Sequence, residues 1–282
     1  MTTAPAAAYH SLARDFRVGR VFDLTTGVYT GNFPAFALVA LAASLPALAG
    51  FIIGNHPPDP NSTGGVWGFL AVFGLSYLLF LLSQGILVYA AFEALRGRVV
   101  DLGASLQVGL SRLFQMTVIA ISVGMTFAVI VFGAVGFEVV VVYSAPLSFP
   151  TWLAGYLILL GLFSGLVLIG MLASRWFVAV PVCIVERLGA WRSLGRSAVL
   201  TKGSRWRIFA IILFFFVGAI IVGQIMVTII DSLGGFLAGL MASIIWRTLC
   251  GAYLATFVVV TYYELRVAHE GIDVEQIAAV FD

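Results

Sequence analysis

Long apolar runs, rather than alternating apolar and polar positions, dominate this chain. Short polar connections separate six such runs. Each run is long enough for a transmembrane helix, which needs about 20 residues. They cover residues 33–54, 66–95, 114–137, 152–172, 208–230 and 236–263, and the third continues if Val139–Tyr143 extends it. Few positions alternate with period two, which favours helices over the strands of a membrane barrel. The pattern predicts an all-α polytopic bundle of six transmembrane helices arranged as three hairpins.

A short amphipathic segment precedes the first, third and fifth runs. Its apolar residues recur at helical spacing, as expected for a helix that lies at the membrane surface. The three sets are Phe16, Val18, Val21, Phe22 and Thr25; Leu102, Leu106, Gly109, Leu110 and Leu113; and Leu188, Trp191, Leu194, Ala198 and Val199. Asp101 is a candidate N-cap for the second helix, and Gly203 a candidate stop for the third. A threefold repeat of surface helix plus hairpin is one interpretation, and ordinary alternating topology is the other.

Each hairpin also ends with a glutamate close to a basic residue. In the sequence, Glu93 stands close to Arg96, Glu186 to Arg187, and Glu264 to Arg266. Pro181, after the fourth run, is expected to kink the helix there and free a carbonyl group.

Charged residues make up only 10% of the chain, and their positions predict its orientation. Lys and Arg occur in the N-terminal segment, the second and fourth connections and the tail, whereas the other three connections contain Asp59, Glu138 and Asp231 and neither Lys nor Arg. By the positive-inside rule, both termini are cytoplasmic. We expect one membrane domain over residues 1–282, with a cytoplasmic segment at 1–32, a bundle at 33–263 and a cytoplasmic tail at 264–282, and no cleaved signal peptide.

Arg247 is the basic residue that stands inside an apolar run. It lies about 11 residues, or roughly 16 Å, from the outer end of its helix. An ionised side chain at that depth costs from about 3 to more than 10 kcal/mol, so we expect it to face the bundle interior with a partner or water. Glu138 is the leading candidate partner and Gln224 a neutral one. Such a group is either an anion or headgroup site, a gating ion pair, or an interhelical clasp that fixes packing.

The fourth connection carries the densest positive charge in the chain. Its candidate lipid-binding or partner-binding residues are Arg175, Glu186, Arg192, Arg196, Lys202, Arg205 and Arg207, with Arg187, Trp191 and Trp206 among them. A helical wheel places Arg192 and Arg196 beside the apolar stripe, with Ser193 and Ser197 on the solvent face. Arg175 is a candidate either to reach the lipid interface or to meet Glu93. Such a surface suits anionic lipid headgroups, although topology signalling explains the charge equally well.

Several function classes have no support in the sequence. No phosphate-binding loop, nucleophile elbow or zinc-protease motif is present, and the three histidines are scattered, so we expect neither an enzyme nor a metal or other cofactor. The net charge of +2 and the lack of a known nucleic-acid-binding motif argue against nucleic acid as a partner. A protein partner or a homo-oligomer stays possible.

Two motifs resemble a known family. The run from Arg175 to Glu186, followed by Arg196 to Gly203 and Trp206, is similar to the bacterial six-span membrane domain attached to some glycerophosphoryl diester phosphodiesterases and also found alone. The tail from Thr261 to Asp273 resembles the closing motif of that group, which usually has Asp where Glu264 stands. The resemblance implies a bacterial inner-membrane protein. It does not imply hydrolysis, because that chemistry belongs to a separate soluble barrel of about 200 residues or more that this chain lacks.

These observations leave two hypotheses about function. The first is a non-enzymatic scaffold or envelope factor whose basic cytoplasmic face contacts anionic lipid. The second is a transporter or lipid-handling permease with Arg247 in its pathway.

Overall fold

The structure, a computed structural model, describes residues 18–55, 63–144 and 151–270, and every regular element in these ranges is an α-helix. The helices are α1 (Val18–Gly31), α2 (Phe33–Asn55), α3 (Thr63–Leu95), α4 (Leu102–Ser144), α5 (Thr151–Trp176), α6 (Ala179–Val185), α7 (Ala190–Leu200) and α8 (Arg205–Glu270). The interpretations of Arg14, Phe16, Arg17, Asp59 and the tail beyond Glu270 lie outside the described residues. The predicted all-α class is confirmed.

The described helices make this chain a multi-pass membrane protein. Four stretches are long and apolar enough to cross a bilayer, and α1 with the first half of α2 forms a fifth if that bent pair is counted as one span. The fourth stretch, α8, has 66 residues and would be about 100 Å long if straight. It reverses instead at Gly235, whose φ of 75° is a left-handed conformation that glycine adopts without strain. We call residues 205–234 α8a and residues 236–270 α8b.

Contacts between α8a and α8b define an antiparallel hairpin. The Trp246 indole N–H donates a hydrogen bond to the Ala219 carbonyl oxygen at 3.0 Å. The rings of Phe215 and Tyr253 stack with their centroids 5.9 Å apart. Gly223 provides the space for the Trp246 indole, because a Cβ built on Gly223 would lie 2.4 Å from the indole nitrogen. A fifth and sixth apolar segment therefore pack side by side in the order that the sequence predicted.

Helix α1 packs lengthwise on α8b, which differs from the predicted surface helix. Near its beginning, the rings of Phe22 and Phe257 lie with their centroids 5.2 Å apart. Near its end, the Tyr29 hydroxyl donates a hydrogen bond to the Leu249 carbonyl oxygen at 3.3 Å. Helices α1 and α2 meet at 83°. Pro34 at the start of α2 accounts for the break, since it has no N–H to continue the hydrogen bonds of α1.

The predicted surface helix before the third run is the beginning of α4 and not a separate element. The Asp101 carboxylate accepts hydrogen bonds from the backbone N–H groups of Gly103 and Ala104 at 2.8 and 3.2 Å, which confirms the predicted N-cap. Gly109 is buried against α3, and its Cα lies 3.3 Å from a Cβ built on Gly85. This close approach of two backbones requires small residues on both helices.

Helix α7 is amphipathic as predicted, but its buried face includes the two serines that the sequence placed toward solvent. Ser193 and Ser197 are fully buried, whereas Trp191 and Val199 are 73% and 60% exposed. The Ser197 hydroxyl donates to the Arg175 carbonyl oxygen at 3.0 Å, so α7 satisfies a polar group that the end of α5 leaves open. The prediction that Ser193 and Ser197 face solvent is wrong, because their hydroxyl groups have carbonyl acceptors, which removes the penalty for burying them.

The turn between α5 and α6 lies where Pro181 predicts it. Helix α5 ends at Trp176, and α6 begins at Ala179. Pro181 has no N–H group that could bond the carbonyl group of Phe177, four residues earlier, so the helix is interrupted at residues 177–178. Beyond α7, the chain turns through Gly203, whose φ of +90° confirms the predicted stop.

The buried core lies at one end of this bundle. It includes one face of α1, the start of α2, the last turns of α3, the first turns of α4, α6, the inner face of α7, the start of α8a and the second half of α8b. The more distant parts of α4 and α5 keep most of their apolar side chains exposed, which is the expected arrangement when lipid rather than water surrounds them. Because the arginines of several connections also lie at the packed end, we call it the basic end.

The α8 hairpin gives the first prediction. We expect Gly223→Ala to lower the free energy of unfolding by about 1–3 kcal/mol, because the added methyl group displaces a hydrogen-bonded indole. Thermal unfolding of the detergent-solubilised protein measures the effect. Gly218→Ala is the control, since a Cβ at Gly218 meets no atom within 4 Å. Equal stability of the two variants would contradict the packing described.

Candidate functional site

A buried ionic cluster joins α6, α7 and α8b at the basic end. The Arg196 guanidinium Nε lies 3.2 Å from Glu186 Oε2, and Arg196 also pairs with Glu270. The Tyr262 hydroxyl donates to Glu186 Oε1 at 3.0 Å and accepts from Arg266 Nη1 at 3.1 Å. Arg266 in turn contacts Glu270 at 2.8 Å. These five side chains connect residues that are more than 70 positions apart in the chain.

The charge state of Arg196 follows from these contacts. Burial acts to lower the pKa of its guanidinium, but the hydrogen bond to Glu270 and the charges of Glu186 and Glu270 raise it by more, so the pKa is raised overall. Arg196 is therefore a cation held in place by carboxylates. The sequence suggested that Glu186 and Arg196 belong to an open binding face. In the structure they contact each other within the cluster instead.

The three glutamates that stand close to a basic residue in the sequence have different partners in the structure. Glu93 contacts Arg96 at 3.2 Å. Glu186 pairs with Arg196 rather than with Arg187. Glu264 pairs at 3.2 Å with Arg20 of α1, whereas Arg266, two positions further along the same helix, points to a different side.

A second polar feature at the basic end is a cavity of about 480 Å³ between α3, α4 and α6, which we call the arginine pocket. Its charged lining residues are Glu93, Arg96, Arg98, Arg112 and Arg187. Four arginines against one glutamate give it an excess of three positive charges. Arg112 Nη1 donates to the Arg187 carbonyl oxygen at 3.3 Å, which ties α4 to the segment after α6.

Sequence reasoning placed these arginines in two separate connections and missed that they line one cavity. A signal was present, since Arg96, Arg98 and Arg112 flank the end of one helix and the start of the next, at the same end of a hairpin. The position of Arg187 beside them depends on the tertiary packing of α6.

The exposed basic residues of α7 and the start of α8 form a third feature, which we call the α7–α8 surface. Arg192, Lys202 and Arg207 are exposed there, beside the exposed aromatic rings of Trp191 and Trp206. Arg205 is half-buried and donates to the Ala198 carbonyl oxygen at 3.0 Å. Arg175 is exposed at the end of α5, and its carbonyl group holds α7. It makes no ion pair with Glu93 among the described residues.

Arg247 lies in a groove of about 310 Å³ between α2, α3 and α8b. The polar residues that line the groove with it are Ser44, Ser76, Ser83, Gln84 and Thr248. The Arg247 side chain is exposed to this space and has no hydrogen bond or ion pair within the described ranges. The groove lies between three helices and presents hydroxyl and amide groups rather than a carboxylate.

Glu138 and Gln224 lie away from this groove. Glu138 faces α5, where its Oε1 is 3.8 Å from a Cβ built on Gly161 and is buried without a hydrogen-bond partner in the described structure. Gln224 is exposed on α8a, and its amide lies 3.5 Å from the Thr228 hydroxyl. The structure therefore does not bring together the three intramembrane candidates.

Within the described ranges, no three His, Cys, Asp or Glu residues come close enough to hold a metal ion. Comparisons with protein-family models, with curated proteins and with solved structures find no match. The functional argument uses the ionic cluster, the arginine pocket, the α7–α8 surface and the Arg247 groove.

The separation of Arg247 from Glu138 gives the second prediction. The losses of stability in Arg247→Ala and Glu138→Ala should add in the double variant to within about 0.5 kcal/mol, because the side chains share no partner. Thermal or denaturant unfolding in detergent measures the three variants. Glu186→Ala with Arg196→Ala is the positive control, where contact predicts a coupling of about 0.5–3 kcal/mol. Coupling of that size between Arg247 and Glu138 would show that they pair.

Proposed function

We propose that this chain is a non-enzymatic six-span protein of the bacterial inner membrane that binds anionic lipid at its cytoplasmic basic end. In this proposal α2, α3, α4, α5, α8a and α8b are the spans, and both termini are cytoplasmic. The convergence of the basic connections at one end of the bundle supports that orientation by the positive-inside rule. The resemblance to the membrane domain of glycerophosphoryl diester phosphodiesterases remains a prediction and agrees with such a role.

The observation that carries the proposal is the division of the basic residues into two sets. Arg196 is neutralised in the buried cluster by Glu186 and Glu270. Arg192 and Lys202 stay exposed next to Trp191, an arrangement of cations and amphipathic rings that suits the headgroup region. Each such cation contributes about 1 kcal/mol of attraction to an anionic surface. The α7–α8 surface is thus the proposed contact with lipid.

The third prediction tests this surface. In bilayers of mixed composition, brominated phosphatidylglycerol should quench the tryptophan fluorescence more strongly than brominated phosphatidylcholine, because anionic lipid collects beside Trp191 and Trp206. The triple change Arg192→Gln, Lys202→Gln and Arg207→Gln should reduce this preference at least about tenfold.

Arg175→Gln is the matched control, as it removes one exposed arginine outside the α7–α8 surface. It should keep the preference of the unaltered protein. An unchanged preference in the triple variant would count against the proposal, and a loss in the control alone would place the lipid contact elsewhere.

A lipid-handling permease is the second candidate, and the Arg247 groove is the observation that favours it. A cation surrounded by Ser83, Gln84 and Thr248 at this depth is stabilised if water or an anionic headgroup enters the groove. In this alternative, Arg247 binds the anionic group of the transported molecule.

The fourth prediction concerns access of water to this groove. With Cys183 and Cys250 replaced by Ala, a membrane-impermeant thiol reagent should label Ser83→Cys if the groove is hydrated. Val222→Cys is the control, because its side chain is exposed on α8a away from the groove. Labelling of Ser83→Cys no faster than that of Val222→Cys would exclude a water-filled path and leave the scaffold function.

A further inference from the structure

We propose that the arginine pocket is a binding site for a phosphate group, separate from the α7–α8 surface. Its main anchor is Arg96, whose side chain is only 8% exposed. Nη1 of Arg96 contacts Glu93, but Nε and Nη2 are buried and have no hydrogen-bond partner in the described structure. A buried guanidinium with two unused donors destabilises the protein unless an acceptor occupies the adjoining space.

The charge on the pocket indicates that this acceptor is an anion. Glu93 lies between Arg96 and Arg98, at 3.2 and 3.7 Å, and so is already shared by two cations. Arg112 and Arg187 add two further positive charges from α4 and from the segment after α6. A group with several acceptor oxygens and a full negative charge matches this set of guanidinium forks, as phosphate does.

The backbone at Arg187 is an independent sign of function. Its φ of 52° is the one left-handed value at a non-glycine position among the described residues. Arginine has no preference for that conformation, and a glycine would relieve it. The Arg187 side chain lines the pocket, and the Arg187 carbonyl oxygen accepts a hydrogen bond from Arg112. Local strain retained at such a position points to a role for the side chain.

The remaining walls suit a phosphate that carries an organic group. Tyr89, Gln107 and Ser111 supply neutral polar atoms, and Phe92 with Ile184 supplies apolar surface. The volume of about 480 Å³ falls in the range typical of small-molecule sites and exceeds what a bare phosphate needs. Either a lipid headgroup or a soluble phosphate ester fits this description.

The test measures phosphate binding by the purified full chain in detergent and phosphate-free buffer. Calorimetric titration with inorganic phosphate and with glycerol 3-phosphate covers soluble ligands. Native mass spectrometry after equilibration with phosphatidylglycerol or phosphatidylcholine covers lipid. Binding in the calorimetric titration would identify the ligand of the pocket as a soluble phosphate. Retention of phosphatidylglycerol but not of phosphatidylcholine, without binding in the titration, would identify it as a lipid headgroup. Either result supports the site if the pocket variants abolish it.

The variants are Arg112→Gln and Arg187→Gly, and each should weaken binding at least about tenfold through loss of a charge-assisted hydrogen bond. Arg187→Gly separates binding from folding, because relief of the left-handed backbone should leave the thermal midpoint unchanged or higher. Arg175→Gln is the control and should bind like the unaltered protein. Failure of every ligand to bind, or equal binding by all three variants, would overturn the proposal.

Discussion

The structure depends on the neutralisation of buried charge around the end of α8b. Glu264 contacts Arg20 of α1. Tyr262 contacts Glu186, and Glu270 contacts Arg196, both from the α6–α7 segment. A glutamate in this core without its arginine would leave an uncompensated charge, which is strongly destabilising. The lipid-facing helices have no comparable force that brings them together, because lipid tails solvate their apolar side chains as well as a neighbouring helix does. Charge pairing and close packing at the basic end therefore define how the helices assemble.

That requirement explains why side chains are more deeply buried at one end of the bundle than at the other. Where α3, α4, α6 and α8b converge, residues such as Val182, Val260 and Leu265 are fully buried. Toward the opposite end, α4 and α5 expose rings such as Phe132 and Phe163. Any binding that needs precise geometry is therefore placed at the basic end, where side chains are held by several neighbours. The arginine pocket meets this condition, whereas the Arg247 groove is more open and is lined by small polar residues.

The two polar sites offer different chemistry to an anionic ligand. The α7–α8 surface presents exposed cations beside tryptophans and suits a loosely held lipid annulus. The arginine pocket presents guanidinium groups from three segments around one cavity and suits a single anion. Because Arg112 bonds the backbone beside Arg187, an anion in the pocket would also link α4 to α6. In our proposals, lipid attraction and the binding of a single anion thus belong to separate surfaces of the basic end.

The sequence by itself determined the all-α class, the order of the apolar segments, the N-cap at Asp101 and the break before Pro181, because these depend on hydrophobic runs and on the local chemistry of Asp and Pro. Only the tertiary structure decided which charges pair. Glu186 with Arg196, Glu264 with Arg20 and the shared pocket of Arg96 and Arg187 join residues remote in sequence. It also decided which face of α7 is buried, since Ser197 needed the Arg175 carbonyl as acceptor. Periodicity indicates which positions are polar, whereas the burial of Glu186, Ser197 and Glu264 depends on partners that other segments of the chain supply.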